Sequence, residues 1–326
     1  MRLCLEKTIM TYRHHLNNAN DLVTSYSEVR AGFIALALER NRRATPFIEQ
    51  ARALKIYVSK VNNPNQLLEI ENVRSTLLTA SGVSDKAAKH FNEDDKIEAI
   101  QGLIQNFLEP AGKVFIDELV YRYLLTRGDT LGGSMRNAGG VLAERRLSRA
   151  IISALNIQNI PYKWLDKNTS TWLNKPNNDT DVEVNIKGIS WKIGNRRRTL
   201  KYNLKVPIVR KNIDLCLFDC LPNDFDSNLI KQPDVYVALG ELKGGIDPAG
   251  ADEHWKTANS ALNRITKAFG AYNYNIVPST FFIAAAIQTN MADEIWLQLQ
   301  SKTLSNAANL TQSDQVASLC SWLIQL

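Results

Sequence analysis

The spacing of apolar and polar positions changes part-way along the chain. Up to about residue 125 it is helical. Residues 27–43 (SEVRAGFIALALERNRR) open on a serine that can cap a helix and carry apolar side chains near helical spacing. They end in basic residues, where the helix dipole favours them. Pro46 predicts the start of a second helix through FIEQARALKIYVSKV, and Pro64 breaks the chain again. Over 112–125, Phe115, Leu119 and Tyr123, with Val114 and Leu124 beside them, share one broad face. Beyond Gly128 the pattern alters. Residues 127–140 (RGDTLGGSMRNAGG) hold five glycines in fourteen residues and predict an irregular, turn-rich segment. An amphipathic helix over 141–155 follows. Alternation with a period of two then sets in at Val182, Val184 and Ile186, with further β-like runs in TLKYNLKVPI, NIDLCLFDC and DVYVALGELK. A helix over 251–269 and an apolar strand over 280–287 imply a right-handed crossover. Helical stretches over 292–304 and 312–326 complete the chain. The fold class is therefore α/β, with a mainly helical part over 1–125 and a mixed-sheet part over 126–326.

Composition adds limits. A chain of 326 residues with 44% hydrophobic and 22% charged residues can bury a real core in one large or two ordinary domains. Disordered, collagen-like and disulfide-stapled classes are excluded. Lys and Arg number 39 against 33 Asp and Glu, and the net charge of +6 permits a polyanionic partner without demanding one. Cys4, Cys216, Cys220 and Cys320 have no zinc-site spacing and suggest a reducing compartment. The N-terminal residues lack the apolar core of a signal peptide, and the most apolar stretch, 281–287, is too short to span a bilayer. A soluble, cytoplasmic protein is expected.

The chemistry concentrates between Asn212 and Lys243. One predicted strand carries Asp214; another ends in Glu241-Leu242-Lys243. Residues two apart on a strand share a face, so Glu241 and Lys243 point together while Leu242 points into the core. With Asp214 on a neighbouring strand, two carboxylates and an ammonium converge. Hard carboxylate oxygens suit Mg²⁺, which keeps several waters and contacts phosphate oxygens. Such an ion polarises a phosphodiester and generates a nucleophile, and a lysine can steady the developing charge or orient water. An ExK triplet is common, and a solvated strand end with a surface ion pair is the plainer reading of the bare pattern. Two features oppose it. Both acids sit in apolar runs where a charge is costly, and Gly244-Gly245 lets a large ligand approach the backbone.

Taken whole, GELKGGIDPAGADEHWKTA closely resembles the AvaI/BsoBI family of type II restriction endonucleases. The likeness extends, less tightly, to RGDTLGGSMRN and the helical N-terminal half. Asp214, Glu241 and Lys243 fall where the family carries its D…ExK triad, with Asp214 and Glu241 as metal ligands. His254 falls on the family's active-site histidine, and Asp247 on a residue that contacts the degenerate recognition position. The resemblance implies a PD-(D/E)xK mixed sheet flanked by helices, with an additional helical N-terminal domain that helps enclose DNA. It also implies a Mg²⁺-dependent homodimer that cuts double-stranded DNA at CYCGRG after the first C, leaving 5′ overhangs. A palindromic site suits a two-fold dimer.

Each supporting residue keeps two readings. His254 can be a general base, since its ordinary pKa of about 6.5 suits that work, or a helix-surface or phosphate-contacting residue. Asp247, before Pro248, can accept from cytosine N4 or simply form an Asx turn. Lys86 can donate to guanine or to a phosphate, or be a solvated lysine behind a capping box. Arg136 in the glycine-rich segment can hold a phosphate, or that segment can serve turning alone. Arg196, Arg197 and Arg198, with Lys192 and Lys201, form a basic turn that tracks DNA or only aids solubility. Trp164, Trp172, Trp191 and Trp255 read as packing residues. Two alternatives to a restriction enzyme remain: another nuclease of the same core, for repair or recombination, and a DNA-binding protein without catalysis.

Overall fold

The structure is a computed structural model, and it describes residues 11–135, 137–272 and 276–326. Cys4 and Arg136 lie outside them. The chain divides into two compact units, one formed by Ile34–Ala138 and the other combining residues up to Phe33 with Gly139–Leu326.

Eight strands form one mixed sheet in the second unit. They are β1 (Tyr162–Asp166), β2 (Trp172–Asn174), β3 (Ile186–Ile193), β4 (Arg196–Val206), β5 (Lys211–Phe218), β6 (Tyr236–Lys243), β7 (Ser279–Ala284) and β8 (Asn306–Asn309). Their order is β2-β1-β3-β4-β5-β6-β7-β8. Pairing is antiparallel from β2 to β6 and parallel from β6 to β8. Parallel neighbours need long crossovers, and two helices supply them here. Pro248–Gly270 links β6 to β7, and Thr289–Gln300 links β7 to β8. In chain order the helices are α1 (Tyr26–Tyr57), α2 (Arg74–Ala80), α3 (Glu93–Leu103), α4 (Phe115–Met135), α5 (Ala138–Ile157), those two crossovers as α6 and α7, and α8 (Ser313–Gln325). No helix among the described residues is long and apolar enough to cross a membrane.

The core beside the crossovers is aromatic. Trp255 of α6 meets Phe282 of β7 edge-on at 4.9 Å, and Tyr236 of β6 meets Phe269 of α6 at 5.1 Å. Trp255, Phe269 and Phe282 are almost completely buried, which fixes α6 against the sheet. The Ile34–Ala138 unit has its own core, built around Leu54, Leu77, Ile104 and Leu119.

Several local expectations give way. Pro46 does not start a helix but lies inside α1. A proline removes one main-chain bond, yet the turn before it is braced: Arg42 and Arg43 both pair with Glu39 at 2.7 Å. Ala51 and Leu54 then anchor the helix beyond it. The glycine-rich stretch is largely helical, since α4 runs on to Met135 and α5 starts at Ala138. Val182 and Val184 belong to a short 3₁₀ turn, and the strand begins only at Ile186. The end of the chain holds β8 between two helices, where helices alone were expected.

Candidate active site

The antiparallel register of β5 and β6 pairs Leu215 with Gly240 and Cys216 with Leu239, which sets Asp214 beside the end of β6. Asp214 Oδ2 accepts from the Leu242 main-chain N–H at 2.9 Å and from Lys243 Nζ at 2.8 Å. Lys243 Nζ also donates to Glu241 Oε2 at 2.7 Å. One ammonium therefore bridges two carboxylates. Leu242 turns into the core as the strand period requires. Gly240 is needed for the same strand, because a Cβ there would fall 2.5 Å from the Phe281 ring.

The charges do not balance. Two acids share one base, and Glu241 is only 3% exposed. Its Oε1 is buried without a hydrogen-bond partner. A buried carboxylate oxygen without a donor is costly. Burial, and then the negative charge of Asp214, push the Glu241 carboxyl up to about 7, against the pull of Lys243. Burial works against the charge on Lys243, but Glu241 and Asp214 outweigh it and hold the ammonium above its ordinary range. The site is electron-rich, partly dry and short of one positive charge. That donor set fits a hard divalent cation held by Asp214 and Glu241.

Gly244 and Gly245 continue from the lysine. A Cβ on Gly245 would stand 3.3 Å from His254 Nε2, so the exposed imidazole of α6 lies over the chain just beyond Lys243. Asp247 caps α6, its Oδ1 accepting from the Ala249 N–H at 2.9 Å while the residue stays exposed. Lys86 belongs to the Ile34–Ala138 unit and is exposed before the short turn at Ala87–His90. Ser84 Oγ, not Lys86, caps that turn, accepting from Ala87 N–H at 3.2 Å. Lys243 thus contacts both Asp214 and Glu241, with His254 and Asp247 on the segment that follows. Arg136 lies outside the described residues.

The arginine-rich turn has another use. Arg198 pairs with Asp219 at 2.9 Å and also donates to the Leu326 carbonyl. Arg196 donates to the Gln325 carbonyl, and Arg197 faces Asp224 at 3.6 Å. Arg196 and Arg198 thus tie the sheet to the last residue of α8 and to Leu326 beyond it. The four tryptophans are buried or half-buried, as packing residues should be. Cys216, Cys220 and Cys320 are buried free thiols.

Sequence reasoning passed over Glu144. This half-buried acid on α5 accepts a hydrogen bond from Asn203 and feels the charge of Asp214. Its sequence setting, AERR, reads as a solvated helix face.

The family model "Restriction endonuclease BsobI" matches residues 12–326. The chain belongs to the BsobI restriction endonuclease family. It is 65% identical over 317 residues to "Type II restriction enzyme AvaI" of Nostoc sp. strain PCC 7120, covering 97% of this chain and 100% of that protein. A protein of the same name from Anabaena variabilis matches equally. "Type II restriction enzyme BsoBI" of Geobacillus stearothermophilus is 56% identical over 319 residues, covering 97% of this chain and 98% of the relative. Membership in this family makes the chain a restriction endonuclease, and an α/β enzyme with a mixed sheet is the matching architecture.

Proposed function

We propose that this protein is a Mg²⁺-dependent homodimeric endonuclease that cuts double-stranded DNA at CYCGRG, after the first C, leaving 5′ overhangs. The observation that carries the catalytic part is the Asp214–Glu241–Lys243 contact with an unpartnered buried Glu241 oxygen. The recognition sequence, the cut position and the dimer rest on the family resemblance. On this reading the D…ExK residues are those of a PD-(D/E)xK core. The helical part expected over 1–125 helps enclose DNA, and the part over 126–326 cuts it.

Asp214 and Glu241 would hold the ion. When bound, it supplies Lewis acidity toward the phosphate and a lower pKa for water. The chain's own groups do the rest. Lys243, already fixed between two carboxylates, holds its proton and presents positive charge where the phosphate gains negative charge. His254 takes a proton from the attacking water at Nε2, the nitrogen that faces Gly245. Asp247 offers its carboxylate to a cytosine amino group from the head of α6, and Lys86 and Arg136 contact the DNA.

Digestion of plasmid DNA with Mg²⁺ and with EDTA, followed by sequencing of the ends, tests this reading. Discrete ends at CYCGRG, formed only with the metal, are expected. A random ladder or no cutting would refute the restriction activity, and discrete ends at another motif would refute only the specificity.

A further inference from the structure

Three observations converge on Glu144. The first turn of α5 is pressed against the chain just beyond Lys243. A Cβ on Gly244 would fall 2.1 Å from the Gly139 carbonyl oxygen and 2.7 Å from the Ala143 Cβ. Only glycine permits so close an approach, and Glu144 follows Ala143 directly. Next, Asn203 Nδ2 donates to Glu144 Oε1. Asn203 lies between the Tyr202–Leu215 and Leu204–Ile213 pairs of β4 and β5, so it stands across from Asp214. Its backbone is left-handed, with φ 52°. That conformation is uncommon in mid-strand, and asparagine is among the few side chains that accept it. Finally, Glu241 is 3% exposed with Oε1 unpartnered, which points to a positively charged ligand between these acids. Burial also raises the Glu144 carboxyl above its usual range; the Asn203 bond opposes this and Asp214 adds to it.

We propose that Glu144, clamped by Asn203, is a positioning residue for the divalent cation: it accepts hydrogen bonds from water that the ion retains. The inference rests on the metal reading of the Asp214–Glu241 site. An outer role is favoured over direct ligation. Among the described residues no three His, Cys, Asp or Glu side chains are grouped closely enough to hold an ion directly. Mg²⁺ characteristically keeps several waters, and groups that orient a metal's surroundings commonly change its affinity about 10–100-fold. A mere helix-to-sheet tether would leave metal affinity alone.

Mn²⁺ binding to the DNA-free protein, followed by paramagnetic resonance of the free ion, separates these roles. The parent should bind Mn²⁺, and Asp214→Asn should abolish that binding. Glu144→Gln should weaken it about 10–100-fold and raise the Mg²⁺ concentration needed for half-maximal cleavage, with thermal stability kept. Asn203→Gly, where glycine accepts φ 52° without strain, should weaken binding less and carries the test if Glu144→Gln does not fold. Parent-like Mn²⁺ affinity in the folded variants would overturn the role of Glu144 alone. A parent that binds no Mn²⁺, or binding indifferent to Asp214→Asn, would overturn the metal reading and this inference with it.

Discussion

The sheet carries two charged clusters, one where β4 begins and one where β5 meets the end of β6, and the two are built differently. At one, Arg198 faces Asp219, one charge against one, with the Leu326 carbonyl as a further acceptor, although the Arg198 Nε is also buried without a partner. At the other, Asp214 and Glu241 share Lys243, and a Glu241 oxygen has no donor. The first arrangement ties the sheet to the end of the chain and leaves no net charge. The second leaves an excess of negative charge in a poorly solvated place, which costs free energy until a cation arrives. Charge inside a fold is therefore not by itself a sign of chemistry. The mismatch is.

The two clusters should respond differently to substitution, and Glu241 should also respond to pH. The Glu241 carboxyl, raised to about 7 from an ordinary value near 4.5, binds its proton more tightly folded than unfolded. Its protonated form therefore favours the folded state. That contribution is present below about 4.5 and is lost as pH rises to about 7. The metal-free parent should lose stability relative to Glu241→Gln between pH 4.5 and 8, read by thermal melts. Equal pH slopes in the two proteins would erase the distinction between the clusters. At the other cluster, Arg198→Ala should cost about 2 kcal/mol, less than a fully buried pair because Asp219 is half-exposed. Cleavage per folded molecule should be unchanged; a specific loss of cleavage would place the arginine turn in the DNA-handling machinery after all.

A smaller effect probes the Ile34–Ala138 unit. Gly132 and Gly133 are exposed within α4, and a Cβ on either meets nothing within 4 Å. Gly132→Ala should therefore stabilise the protein by about 1 kcal/mol. Destabilisation would show that this stretch needs the turn freedom that its glycines suggest.

Glycine density signals a turn only when local propensity decides, and here the helix from Phe115 continues through Gly128, Gly132 and Gly133. Pro46 misleads in the same way, because α1 runs on through it to the buried Ala51 and Leu54. The β5–β6 part of the site was legible: a period of two puts Glu241 and Lys243 on one face, and charges in apolar strands are conspicuous. Glu144 was not legible. Its connection to Asp214 runs through Asn203, a neighbour across strands far away in sequence. β8, with Asn306 and Asn309 fully buried, lacks the branched and aromatic residues that mark strands.

Single-turnover cleavage of a duplex containing CYCGRG, with DNA binding measured on the same preparation, tests the central claim most directly. Lys243→Ala removes the one cation that both carboxylates share while leaving Asp247 at the head of α6. It should bind the duplex within a few-fold of the parent and cut it at least about 1000-fold more slowly, on the order of 4 kcal/mol of lost transition-state stabilisation. Cleavage within about tenfold of the parent would contradict the assignment of this unbalanced cluster as the cutting centre.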